Sequence, residues 1–271
     1  MSHLLSSSLF EKDETQFERI HDTAKAFASN YWGSSIIGEN IFKILPIYAN
    51  KNDIPLEVLS YPFHDDELWA FSLMKKGTIF VCINSSLPMC KQIFAAAHEL
   101  FHIYKYAENS DTAENIATLL DSRTADEGTH NKEDLEANAF AALLLMPKAL
   151  LQEQIDLFQI DSDNPTEDDI LALMDTFGVP FKAVVLRLYE CHILSKTKAE
   201  NLLSVSSESV EQRSRLTGKA RRWIIPNRGV VSFGSLLENF EYNKSHDFLT
   251  TAREKEDSEY LNQLIDTFDI K

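Results

Sequence analysis

Between Met89 and Tyr106 the chain has no glycine or proline and carries three consecutive alanines, Ala95 to Ala97, yet it places His98, Glu99 and His102 in the same stretch. Few folds accommodate such a segment. Pro88 suits a helix start, and Ile93, Phe94, Ala97, Leu100, Phe101 and Tyr104 follow the three-and-four spacing of a buried helix face. Three polar side chains on a buried helix need partners, because an unpaired buried polar group is costly. Residues four apart on a helix share a face, about 5–6 Å apart at Cβ, so His98 and His102 can reach one ion. Glu99 lies one step round, where its carboxylate can meet a water beside that ion. This is the spacing with which a helix binds zinc and offers a general base. His98 and His102 are therefore expected metal ligands, and Glu99 the expected catalytic residue.

Zinc in a catalytic site takes a third protein donor and keeps a fourth position open. No further histidine follows at the short spacing of the metzincins, since Lys105 and Glu108 stand there. A second helix is predicted over Lys132–Leu145, ended by Met146-Pro147. Glu136 shares a face of it with Ala139, Phe140 and Leu143, where a cation would offset the burial of a carboxylate. Glu136 is the expected third ligand, with Glu133, one turn earlier, as its rival. Cys82 and Cys90 are further possible donors without a paired spacing.

Together these residues resemble the ImmA/IrrE metallo-endopeptidases. The likeness rests on Ile79-Phe80-Val81-Cys82-Ile83-Asn84, the His98–His102 helix, and Glu136-Ala137-Asn138-Ala139-Phe140-Ala141-Ala142 followed by Leu144-Leu145-Met146-Pro147. It spans roughly residues 36 to 195. The resemblance implies a zincin-like core, zinc-dependent hydrolysis of peptide bonds, and Glu136 as third zinc ligand. It also implies a cytoplasmic substrate, a helix-turn-helix repressor cut to release stress or mobile-element genes. The family commonly has glycine where this chain has Phe101.

Composition bounds the remaining classes. In 271 residues no apolar stretch approaches 18 residues, so no membrane-spanning helix is expected. The first residues lack the basic region of a signal peptide, and three scattered cysteines, Cys82, Cys90 and Cys191, do not suggest a disulfide framework. A cytoplasmic location is expected. A net charge of −16 opposes nucleic-acid binding except where basic residues segregate. They do so between Arg213 and Arg228, where Arg213, Arg215, Lys219, Arg221, Arg222 and Arg228 surround Trp223 with no acidic residue. That segment can pair with the chain's own carboxylates, dock a partner, or hold phosphate and stack a base. No direct nucleic-acid binding is expected.

The expected fold is α+β: a zincin-like core, with a small antiparallel sheet packed on zinc-binding helices, and a helical C-terminal extension. The domains expected are a helical leader at 1–35, the peptidase domain at 36–150, a helix-turn-helix-like region at 151–200 and an extension at 201–271. Strands are expected at Leu56–Tyr61, Leu68–Met74 and Thr78–Asn84, the last two joined by Lys75-Lys76-Gly77. The polar stretch 107–131 is expected to form a lid or a short helix. Thr166 to Asp169 reads as a capping box before a helix, a turn at Gly178-Val179-Pro180, and a second helix offering only Lys182 and Arg187 as cations. For the oxyanion, Tyr104, Tyr106, Arg123 and His130 stand as alternatives. Two other functions stay open: a non-catalytic zinc-containing module that binds a partner, and a DNA-binding regulator using the helix-turn-helix-like segment.

Overall fold

A computed structural model describes residues 3–63, 65–108, 117–126, 131–162, 164–219, 224–226 and 231–268. Short helices α1 (His3–Ser7) and α2 (Leu9–Lys12) precede α3 (Glu14–Tyr31) and α4 (Ile41–Lys51). Strands β1 (Leu56–Tyr61), β2 (Leu68–Lys75) and β3 (Thr78–Asn84) lead to α5 (Met89–Glu108). Strand β4 (Ala117–Asp121), α6 (Ser122–Asp126) and α7 (Lys132–Leu145) follow. Helices α8 (Lys148–Phe158), α9 (Glu167–Phe177), α10 (Phe181–Glu190), α11 (Lys196–Leu203) and α12 (Ser207–Leu216) continue the chain. Strand β5 (Ser232–Phe233), α13 (Leu236–Ser245) and α14 (Thr251–Phe268) end it.

The sheet runs in the order β4-β2-β3-β1-β5. It is mixed rather than antiparallel: β1 pairs parallel to β3, from Leu56 opposite Ile79 to Tyr61 opposite Asn84. β3 is the strand best suited to the middle, because Ile79, Val81, Cys82 and Ile83 are all buried and it reads as a near-continuous apolar run. The β2–β3 hairpin closes through Lys76 and Gly77, both with positive φ, as a tight two-residue hairpin turn requires. The stretch expected as a lid or a short helix supplies a short helix and, ahead of it, a strand. Its described part is an edge strand, β4, antiparallel to β2, followed by the short α6. Leu120, fully buried, gives β4 its anchor in an otherwise polar region.

Helix α5 packs on the sheet, α7 runs antiparallel alongside α5, and α3 packs on α7. The leader helix belongs to the same core: Phe17, Ile20, Ala24 and Phe27 are buried in it, and the Phe27 and Phe140 rings meet edge-on at 5.8 Å. Phe101, at the position where glycine is common in the resembled family, is fully buried and meets the Phe140 ring at a tilt, with centroids 5.3 Å apart. Its side chain fills the space between α5 and α7. At the other edge β5 pairs with β1, and Phe233, Phe268 and Tyr61 form a ring cluster. Among the described residues no helix is long and apolar enough to cross a membrane.

Candidate metal centre

The uninterrupted α5 and the Asn131-capped α7 run side by side, so residues that rise along one meet residues that descend along the other. His98 Nδ1 lies 2.9 Å from Asn138 Oδ1, and His102 Nδ1 lies 3.0 Å from Glu133 Oε1. Asn138 Nδ2 donates to the Thr124 carbonyl at 3.3 Å, which turns its amide oxygen toward His98. Each imidazole therefore donates from Nδ1, leaving its Nε2 as an acceptor. These two Nε2 atoms lie 3.1 Å apart. Two facing lone pairs repel unless something positive lies between them.

A carboxylate completes the group, and it is not Glu136. Asp134 Oδ1 lies 3.9 Å from His102 Nε2, and one donor atom each from His98, His102 and Asp134 falls within 4.8 Å of the others. Glu136 points away. Its Oε1 accepts from Gln16 Nε2 at 3.0 Å and lies 3.9 Å from Lys132 Nζ, so α3, not a metal, offsets its burial. Helix geometry explains the correction. Asp134 and Asn138 are four residues apart and share a face, whereas Glu136 is two residues from each and turned to the far side. Glu133 touches the ring from its other nitrogen, orienting the imidazole rather than offering a donor to the same ion.

Glu99 is fully buried. Its Oε2 accepts from Ser72 Oγ on β2 at 2.5 Å and from Thr118 Oγ1 on β4 at 2.7 Å, while Oε1 has no partner. The sheet edge thus holds one carboxylate oxygen and leaves the other free. Burial pushes the Glu99 carboxyl up, against the opposing pull of His102 and the two hydroxyls. Burial, and then its neighbour His102, hold His98 well below the ordinary imidazole range. Burial also disfavours charge on His102, but its hydrogen bond to Glu133 and the charges of Glu99, Glu133 and Asp134 outweigh it and raise the ring. Three carboxylates converging on two neutral-donor imidazoles, with an orphaned buried oxygen beside them, suit a divalent cation of borderline softness.

The other expected residues lie elsewhere. Tyr104 donates to Glu108 at 2.6 Å and sits in a ring cluster with Phe27, Tyr48 and Phe140, away from the imidazoles. Tyr106 packs on the core, Arg123 is exposed and pairs with Asp121 at 3.3 Å, and His130 lies outside the described residues. Cys82 and Cys90 are buried and take no part in the donor group; burial raises the Cys82 thiol to about 11. Sequence reasoning missed Asp134, Ser72 and Thr118. A usable signal for Asp134 was its four-residue spacing from Asn138.

The helix-turn-helix-like segment folds as two helices with the expected Thr166–Asp169 capping box. Arg187, however, is buried: its Nε donates to the Met146 carbonyl at 3.0 Å and its Nη1 to Glu190 at 3.2 Å. It is spent inside the fold, not offered to phosphate. In the basic segment Arg213 pairs with Asp168 at 2.6 Å, Arg215 with Glu211 at 2.6 Å and Lys219 with Asp175 at 3.5 Å. Arg221, Arg222, Trp223 and Arg228 lie outside the described residues.

No curated protein matches the chain. Among family models, residues 52–189, about half the chain, match a peptidase family described as the IrrE N-terminal-like domain, and this span contains β1 to β4, both site helices and every donor of the metal group. The chain belongs to that IrrE N-terminal-like peptidase family.

Proposed function

We propose that this protein is a zinc-dependent endopeptidase whose ion is held by His98, His102 and Asp134. The observation that carries the reading is the pair of acceptor Nε2 atoms 3.1 Å apart, each fixed by a hydrogen bond at Nδ1, with an acidic oxygen beside them. Zinc, when bound, supplies Lewis acidity that polarises a peptide carbonyl and lowers the pKa of a water. The chain supplies the base. Ser72 and Thr118 hold Glu99 Oε2, which leaves Oε1 to accept a proton from the attacking water and return it to the leaving amine. Asn138 and Glu133 keep both rings in the tautomer that presents Nε2. The substrate we propose is an intracellular helix-turn-helix transcriptional repressor, cut at one site in the cytoplasm. The resemblance to the ImmA/IrrE peptidases supports this reading, and the acidic character of the chain, which disfavours binding DNA itself, is compatible with it.

Glu99→Gln tests this directly, because it removes the base and keeps the ligands. The variant should retain about one zinc per chain, capture a repressor protein from cell extract, and fail to cut it. The wild type should cut the same protein in a chelator-sensitive way. Cleavage that survives both Glu99→Gln and zinc removal would rule out this assignment.

A further inference from the structure

A groove separate from the metal centre runs between α3 and the junction of α7 with α8, and neither the metal donors nor Glu99 line it. Helix α3 contributes His21, Ala24, Lys25 and Ala28, whose spacing of three and four places them on one stripe. Where α3 needs bulk in the core it carries Phe17, Ile20 and Phe27. On this stripe its apolar positions are alanines, and space is left beside them. Leu143 and Leu144 from the end of α7, Leu150 from the first turn of α8, and the buried Ile37 supply the rest of the apolar wall. The groove encloses about 550 Å³, within the ~300–1,000 Å³ of small-ligand sites.

Its charges have one sign. Lys25, Lys148 and His21 line it and no aspartate or glutamate does, in a chain of 42 acidic and 26 basic residues. His21 has acids of its own, since its Nδ1 lies 3.8 Å from Glu18 and 4.0 Å from Asp22. Lys25 and Lys148 are exposed, and among the described residues neither is ion-paired, unlike Arg213, Arg215 and Lys219.

We propose that this groove binds a small apolar anion, an alkyl carboxylate of medium length, with its chain along Ala24, Ala28, Leu143 and Leu144 and its carboxylate paired with Lys25 and Lys148. The inference stands apart from the peptidase reading. Charge selects among apolar ligands: a carboxylate meets two unpaired ammonium groups, an alcohol gains nothing from them, and a quaternary ammonium is repelled. Size selects against a macromolecule. The stripe from His21 to Ala28 is about 10 Å long, whereas a specific protein interface buries ~800 Å² on each partner.

Calorimetric titration of the full-length protein tests this with decanoate, decanol and decyltrimethylammonium, each below its micelle concentration. Decanoate should bind saturably, about one per chain, at least about 10-fold tighter than decanol, and the cation should not bind. Lys25→Gln with Lys148→Gln should weaken decanoate by about 10-fold and leave decanol unchanged. Ala28→Leu should weaken both, because it fills the space that the alanine leaves. Both lysines are exposed, so the double variant should melt as the wild type does. Decanoate binding no tighter than decanol, or unchanged in the lysine double variant, overturns the proposal. A carboxylate held by zinc instead would be lost in Asp134→Ala and kept in the lysine double variant, and that pattern also overturns it. If decanoate fails while an acidic amphipathic peptide binds and needs both lysines, the groove docks a protein and the small-ligand proposal falls.

Discussion

The α5–α7 pair and the C-terminal helices α13 and α14 treat their polar residues in opposite ways. In the helix pair His98, Glu99, His102 and Glu136 are all buried, each with a named partner. In α13 no residue is buried, and in α14 only Leu261 is. The extension is attached through β5 on β1, the Phe233–Phe268–Tyr61 rings, and Ser235, whose N–H donates to Glu57 at 2.9 Å. Buried polar groups are expensive to keep, so a cluster of them marks where the chain needs chemistry. An exposed, charge-paired surface carries no such mark.

The sharpest way to break this comparison is to exchange the roles of two acids on α7. Asp134→Ala should weaken zinc affinity by more than about 100-fold, measured by competition with a chromogenic chelator, whereas Glu136→Ala should change it by less than about 3-fold. A reversed order would return the third-ligand role to Glu136. The second prediction concerns pH and the buried pair on α10. Burial outweighs the attraction of Arg187 and raises the Glu190 carboxyl to about 7. The folded state therefore binds this proton more tightly than the unfolded chain. Its stabilising contribution is complete below about pH 4.5 and is lost as pH rises through about 7, a decline of about 3 kcal/mol. Urea titrations from pH 4.5 to 8 should show that decline in the wild type and not in Glu190→Gln; parallel curves would refute it. The smallest effect lies in the extension: Phe268→Ala should lower stability by about 1 kcal/mol and leave zinc affinity unchanged. Loss of zinc in that variant would show that the extension supports the centre.

Much of this was legible in the residues. The periodicity of Met89–Tyr106 and Lys132–Leu145 located both site helices, and the His98-Glu99-x-x-His102 spacing placed three of the side chains at the site. The expected third ligand, Glu136, was chosen on burial, and the structure sets that carboxylate against α3 while Asp134 lies beside the two imidazoles. Glu136 is indeed buried on α7, but a helix has more than one buried side, and only the contact with α3 shows which partner meets that carboxylate. Asp134, less buried, looked like an ordinary first-turn acid. Ser72 and Thr118 were invisible for a different reason. A strand's alternation says which residues share a face, and not that β4 returns across 46 residues to lie beside β2. The parallel pairing of β1 likewise depends on which strand takes the centre of the sheet, a property of the assembled core.

The contact between Gln16 on α3 and Glu136 on α7 joins residues 120 positions apart, and the helix that supplies Asp134 and Asn138 is made well after the one that carries His98 and His102. During synthesis from the N-terminus, both imidazoles emerge before either group that fixes the donor set exists. Contacts of such long sequence separation form late, after their loop-closure entropy has been met. Assembly of the His98–His102–Asp134 group is thereby tied to folding time: the nascent chain offers two unoriented histidines, and the three side chains come together only once α7 has closed against α5.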